Sequence, residues 1–425
     1  MRLAVGSITV EDLELGPSTT LRGRTLVVNR DEIRQVVLAD PHFSDVEVHV
    51  ARPGESVRII HAMDVVEPRW KVLGPSGVFP GLVSAPAAAG DGKTIRLAGV
   101  AVVEAGEPVP GEPTHFREQV VDVSGPGAEY SPFGQTLNLV LQFQPNLALF
   151  PAQTEQVKDV SGGTAAAADY RRAILAAGPR IAAHLARAVQ DAPSDAVETY
   201  ELPPCDPDLP RVVCLYQSYR HYLYGLPLPL PLGTLLHPNE YFDGALVSWQ
   251  HSRCTYWDQN HATMQQLCRR HGRDLNFLGS ILFGAITPER TDKERLATAV
   301  AKFASMLRAQ AAVVLGINGS NYAVDAMWVV QLCDQLGIKT VLVYPDVGAG
   351  RDDPGFIFAV PEADTIVCTG SQEQRVSLPR VAKVIGGDRL IDSDDDAAGE
   401  ITVPMRLVHS SLGIQGYNRL STRFQ

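Results

Sequence analysis

AAVVLGI at 311–317, AVDAMWVVQLCDQLG at 323–337 and IKTVLVYPD at 338–346 decide the fold of the C-terminal part. They read as strand, helix and strand. Strands that alternate with helices imply parallel pairing and right-handed crossovers. The pattern continues on both sides. LNFLGSILFGAI at 275–286 is a strand run, TDKERLATAVAKFASMLRAQ at 291–310 an amphipathic helix, and TIVCTG at 365–370 a further strand. A doubly wound parallel sheet is therefore expected in a C-terminal α/β domain over 251–425.

Upstream the texture changes. LAVGSITV, TLVVN, VEVHVA, SVRIIHAMDVV and TIRLAGVAVV are short β-branched runs separated by Gly, Pro, Asp and Asn. They predict a β-rich N-terminal domain over 1–130. A middle α/β domain over 131–250 is expected from LNLVLQF at 137–143, an alanine-rich helix at 164–189 and RVVCLYQS at 211–218. Gly178-Pro179 is expected to interrupt that helix. Residues 190–210 read as a long irregular loop. YGLPLPLPLGTLL at 224–236 reads as an extended buried or interface segment.

The chain has 425 residues, 45% hydrophobic and 20% charged, with a formal net charge of -11. This composition is that of a soluble globular protein. With no basic cluster, nucleic-acid binding is not expected. No run reaches the roughly 18 apolar residues that span a bilayer, and the N-terminus has no signal-peptide pattern, so no membrane association is expected. The six cysteines have no CxxC spacing, and no zinc pattern is present. They read as buried free thiols in a cytoplasmic protein. Glu55, Arg58, Glu67 and Arg69 sit inside strand patterns and read as structural ion pairs or an interface.

Ligands of such sheets bind at the carboxyl ends of strands. That directs attention to GINGSNYAVD at 316–325, where Asn318, Ser320 and Asn321 offer amides and a hydroxyl to a substrate. The alternative is an N-cap at Ser320 or Asn321. GAGR at 348–351 lacks the full GxGxxG spacing, and GxxxxGK[ST] is absent.

ARPGESVRI, DVVEPR and GPSGVFPG within 51–81, VDVSGPGAEYSPFG at 121–134 and HPNEYFDGALVS at 237–248 resemble a known family. It is the proprotein subunit of component B of glycine, sarcosine and betaine reductases, related to the proline reductase proprotein. The resemblance extends to TDKER at 291–295, GIKTVLV at 337–343, AGRDD at 349–353 and GYNRLST at 416–422. It implies a protein that cuts its own chain after the HPNE segment and forms a pyruvoyl group. The chemistry needs a Ser or Cys, whose heteroatom is first nucleophile and then leaving group.

The family's cysteine stands three positions after Val-Ser. Here Val247-Ser248 is followed by Trp249, Gln250 and His251, and histidine cannot undergo that reaction. The expectation is an uncut chain with no cofactor; a pyruvoyl group at Cys254 or Ser252 is the alternative. Downstream, Asp258, Gln259, Asn260 and His261 form a dense polar patch. His251, Asp258 and His261 are candidates for proton transfer, and Gln259 and Asn260 for substrate contact; a metal site is not expected. The bland alternative is a solvated helix start at Asp258.

The resemblance further implies reductive cleavage of a C–N bond in a small amine or amino-acid-like substrate. A larger reductase-like subunit would supply a reactive Cys or Sec. Three readings follow: a divergent catalytic subunit without pyruvoyl, a non-catalytic scaffold that shapes the partner's active site, and a self-processed pyruvoyl enzyme.

Overall fold

The computed structural model describes residues 1–74, 77–87, 89–112, 119–150, 163–219, 221–228, 233–248, 254–284, 289–317, 320–346, 358–391, 393 and 395–417. The N-terminal strands that build the two larger sheets are β1 (Arg2–Thr9), β2 (Phe43–Ala51), β3 (Val57–Val66), β4 (Arg69–Leu73), β5 (Gly92–Ala98), β6 (Val100–Ala105), β7 (Gln119–Asp122) and β8 (Leu137–Pro145). A helix α1 (Ala165–Ala188) and a strand β9 (Ala196–Glu201) follow. β9-β1-β5-β4 form one sheet, and β7-β3-β6-β8-β2 lie in a second. TIRLAGVAVV reads as one run but turns at Gly99, whose φ of +94° is open to glycine without steric cost. β5 and β6 thereby enter different sheets.

Two expectations fail here for physical reasons. α1 runs through Gly178-Pro179 without interruption. Gly178 N donates to Glu104 Oε1 on β6 at 3.1 Å, and a Cβ at 178 would lie 2.2 Å from that oxygen. The glycine thus admits the carboxylate, and the buried face of a 24-residue helix outweighs a local proline cost of about 3 kcal/mol. The 190–210 stretch is not wholly irregular, because β9 pairs antiparallel with β1. Tyr200 is the one buried residue of β9, so no apolar alternation marks it in the sequence.

The later elements that position the site are β10 (Arg211–Ser218), β11 (His221–Leu223), β12 (Thr234–Leu236), α2 (Pro238–Phe242), β13 (Leu246–Ser248), α3 (Thr255–Gln259), α4 (Ala262–Arg270), β14 (Asn276–Gly284), α5 (Arg290–Met306), β15 (Ala311–Leu315), α6 (Ser320–Gln335), β16 (Lys339–Asp346), β17 (Ile366–Ser371), β18 (Arg375–Leu378), β19 (Lys383–Ile385) and β20 (Ile401–Pro404). β12-β14-β10-β15-β16-β17 make a sheet, parallel except for β12. In chain order its parallel strands lie second, first, third, fourth, fifth, so the order reverses between β10 and β15. Residues of α5 and α6 pack on one face, and residues of α2 and α4 on the other. Cys368 is exposed, not buried as expected. It lies on β17, the edge strand, where the sheet covers one flank only.

Beyond residue 375 the chain returns to the N-terminal sheet. β19 pairs with β3, and Val376, Leu378, Val403 and Leu412 share a core cluster with Ile60 and Val120. Cys254 and Tyr256, at the start of α3, pack with Ile59, Val65, Val103 and Val140 of that sheet. α3 is thus wedged between the N-terminal sheet and the carboxyl end of β10. The charged strand residues close into ion pairs: Arg52 with Glu55 at 3.1 Å, Arg58 with Asp122 at 2.7 Å and Arg69 with Glu67 at 2.6 Å. Among the described residues no helix is long and apolar enough to cross a membrane.

Candidate active site

The HPNE segment is a structural clamp. His237 caps α2 in a capping box with Glu240, whose Oε2 accepts from His237 N at 2.6 Å. Asn239 Nδ2 donates to the carbonyls of Gly90 and Tyr200, both at 3.0 Å. Asp243 is fully buried, ion-paired to Lys71, and accepts from Thr94 Oγ1 at 2.6 Å and Gly90 N at 2.8 Å. These contacts dock 237–243 onto the β9-β1-β5-β4 sheet and fix the path of β13.

β13 pairs with β11, and Ser248 lies opposite His221. Ser248 N donates to Thr255 Oγ1 at 2.8 Å. Thr255 N and Oγ1 in turn donate to Asp64 Oδ1 and Oδ2 at 2.8 and 2.5 Å. The two ends of the 249–254 segment are therefore pinned to one buried carboxyl on β3. His251 and Ser252 themselves lie outside the described residues. Burial raises the Asp64 carboxyl well above its usual range; the Thr255 bonds oppose that shift and the Asp258 charge adds to it.

Asp258 is buried, not solvated. Its Oδ1 accepts from Tyr216 Oη at 2.8 Å and from Gln415 Nε2 at 3.3 Å. Its Oδ2 lies 3.2 Å from His221 Nε2, and His221 Nδ1 lies 3.0 Å from Ser218 Oγ at the end of β10. His261 caps α4, its Nδ1 accepting from Met264 N at 3.4 Å, and its ring stands edge-on to Tyr216 at 5.2 Å. Burial pushes His261 down to about 4, against the pull of Asp258. It is neutral near pH 7 and carries its proton on Nε2. Four buried atoms of this cluster, His221 Nε2, Asp258 Oδ2, His261 Nε2 and Gln415 Oε1, have no aligned hydrogen-bond partner among the described residues. Buried polar groups are seldom left so, and here one is an oxygen of the Asp258 carboxylate and three belong to residues around it.

Cys254 belongs to a second chain. Its Sγ is 3.6 Å from Ser410 Oγ, which is 2.9 Å from His409 Nδ1. His409 Nε2 lies 2.7 Å from the Met63 carbonyl and must donate to it, which leaves Nδ1 as the acceptor. Burial pushes His409 down to about 4 and raises the Cys254 thiol well above its usual range. Ser410 has a left-handed φ of +58°, a conformation that costs energy outside glycine.

The amides of Gln259 and Asn260 are engaged within the chain. Gln259 Oε1 accepts from Glu67 N at 3.0 Å. Asn260 Oδ1 accepts from Arg69 Nη2 at 2.8 Å and Arg96 Nη1 at 2.7 Å. Asn318 lies outside the described residues, as does the Ser320 side chain. α6 begins at Ser320, and Asn321 is exposed, its carbonyl accepting from Lys293 Nζ at 2.9 Å. That turn is tied to β10 by Gln217, which accepts from Ile317 N at 2.7 Å and donates to Tyr322 O at 3.0 Å. The structure thus gathers Cys254, Asp258 and His261 in one buried region. Sequence reasoning missed Asp64, Ser218, His221, His409, Ser410 and Gln415. Two signals were available: a carboxylate within the apolar run HAMDVV, and SYRH at the carboxyl end of a predicted parallel strand. Among the described residues no three His, Cys, Asp or Glu side chains are placed to hold a metal ion.

The chain is 32% identical, over the whole length of both proteins, to the glycine reductase complex component B subunits alpha and beta of Acetoanaerobium sticklandii. It is 32% identical, again over both full lengths, to the sarcosine reductase complex component B subunit alpha of Peptoclostridium acidaminophilum. The betaine reductase complex component B subunit alpha of the same organism is 30% identical over 91% of this chain and 88% of its own. No solved structure matches. The sequence profile of glycine/sarcosine/betaine reductase component B subunits matches residues 1–418, and the chain belongs to that family.

Proposed function

We propose that this chain is the small-amine-handling subunit of a glycine-reductase-like complex, acting with a larger subunit that carries a reactive Cys or Sec. Its substrate class is a small amino acid or its N-methylated form. The partner's thiolate or selenolate attacks the α-carbon, the C–N bond breaks, and the amine leaves with the bonding pair, together with a proton where the leaving nitrogen is an uncharged amine and without one where it is quaternary. Residues 251–261 line the reaction site in this reading. His251 protonates the departing amine, and Asp258 and His261 assist the proton transfer. Asn318, Ser320 and Asn321 contact the substrate from the neighbouring crossover, while Gln259 and Asn260 hold α3 in place. The observation that carries the proposal is the open polar cluster around Asp258, at the carboxyl end of β10, in a chain of this family.

No pyruvoyl group is required in this reading, because His251 stands where the family has its cysteine. One observation favours a second reading. Cys254 has the β-sulfur that a pyruvoyl precursor needs, and Ser410 and His409 stand behind it as a proton acceptor chain. Intact mass decides between the two: a single chain near 46.0 kDa supports the first. Two stoichiometric fragments, the smaller with a blocked N-terminus and a hydroxylamine-sensitive carbonyl, overturn it in favour of Cys254 or Ser252. Co-expression with a Cys- or Sec-bearing reductase subunit tests the rest. A stable hetero-complex that releases amine from glycine, sarcosine or betaine is expected. A chain that ignores that subunit would contradict the proposal; one that restores the partner's activity yet binds no amine would be a scaffold.

A further inference from the structure

Ser218, His221 and Asp258 come from three elements, β10, β11 and α3, and all three are buried. The hydroxyl of Ser218 ends β10 beside the reversal in strand order. His221 spans the gap behind it, Nδ1 at 3.0 Å from Ser218 Oγ and Nε2 at 3.2 Å from Asp258 Oδ2. Asp258 is held from its other oxygen by Tyr216 and Gln415. Among the described residues no Lys or Arg is ion-paired with it: Arg69 and Arg96 are engaged by Glu67 and Asn260. His221 also pairs across the sheet with Ser248, the last described residue before the 249–253 segment.

We propose that Ser218, His221 and Asp258 form a proton relay at the carboxyl end of β10, with His221 as the carrier. The inference deepens the reading of this chain as a catalytic subunit and rests on it for the identity of the reaction. Ser218 Oγ takes up the proton released as the partner's thiol or selenol is ionised, and its own proton passes to His221 Nδ1. The imidazolium so formed lies against the Asp258 carboxylate, which stabilises it. The reverse transfer returns the proton through Ser218 to the reaction site, where it replaces the one given to the amine that leaves with the C–N bonding pair. No atom is gained or lost in the relay, and its residues are unchanged after each turnover. The other ionisable groups in the field of Asp258 are Asp64 on β3, Tyr216 on β10, Tyr241 on α2, Cys254 before α3 and His261 before α4.

Two readouts test this, one of them independent of the reaction. In the full-length chain labelled with 15N-histidine, the His221 signals are assigned by their loss in His221→Gln. A His221 Nε2 signal that shifts in Asp258→Asn is expected, together with a shift of Nδ1 in Ser218→Ala. Unchanged His221 signals in both variants would overturn the relay whatever the activity. In the complex, with glycine, sarcosine and betaine as probes, His221→Gln is expected to lower kcat about 10²-fold with KM nearly constant. Ser218→Ala should lower it about tenfold. Normal kcat in His221→Gln would also overturn the relay. Relay signals in a wild-type complex that releases no amine would leave the relay standing and remove the reading of the reaction.

Discussion

Asp122 and Asp258 are both fully buried carboxylates, but their surroundings differ. Asp122 receives two bonds from Arg58, at 2.7 and 2.9 Å, and the remaining N–H groups of Arg58 donate to the carbonyls of Ala397, Gly399 and Pro379. The network is closed, with a full charge opposite a full charge, and it ties β3 and β7 to the returning C-terminal segment. Asp258 has a phenol, an amide and an imidazole, and its own Oδ2 and three atoms around it lack aligned partners among the described residues. A closed network fixes a fold. An open one keeps polar groups in a low-dielectric interior ready to exchange a proton, at a cost that satisfied groups avoid.

Breaking the closed network should show in stability. Arg58→Ala leaves Asp122 buried and unpaired and should cost about 3–5 kcal/mol, read by urea unfolding. A cost below about 1 kcal/mol would mean that the contrast between the two carboxylates is false.

The pH dependence of stability sharpens the comparison from the histidine side. His261 and His409 both have folded values near 4 against an ordinary 6.5, so the unfolded chain binds more protons between those limits. Their contribution is fully present above pH 6.5 and is lost as pH falls towards 4. It is worth about 3 kcal/mol for each histidine. Unfolding measured between pH 7 and 4.5 should show that loss, with a shallower slope in His261→Gln and in His409→Gln. Equal slopes in wild type and both variants would contradict the burial assigned to them.

Smaller effects concern single donors at the open site. His251→Ala should lower turnover of the complex by at least about tenfold while leaving assembly intact, since general acid–base help is worth 10²–10⁴-fold at most sites of this kind. His261→Ala should have a smaller effect of the same sign. Unchanged turnover in both variants, with the complex formed, would favour the scaffold reading.

The sequence made the layers legible but not the site's full membership. Apolar runs at 211–218, 276–284, 311–315 and 339–346 each announce a strand, because burial between helices demands uninterrupted apolar residues. Cys254, Asp258 and His261 stand within eight positions of one another; Asp258 and His261 were visible in a polar patch, and Cys254 as an alternative pyruvoyl precursor. Asp64 was not, because it meets Thr255 across a sequence separation of 191 residues. Ser410 and Gln415 come from the tail and reach Cys254 and Tyr216 only because the chain folds back onto the N-terminal sheet. Gln259 and Asn260 read as free amides since the arginines that engage Asn260 lie on β4 and β5, far away in sequence.

Asp258→Asn tests the central claim most directly. The substitution keeps the size of the side chain and its bond from Tyr216 but removes the charge that an imidazolium at His221 needs. Turnover of glycine, sarcosine or betaine by the assembled complex should fall about 10²-fold, with unfolding free energy changed by no more than about 1 kcal/mol. Full turnover in the variant, or a loss of stability as large as that of Arg58→Ala, would contradict the account and make the Asp258 cluster a structural network like the one at Asp122.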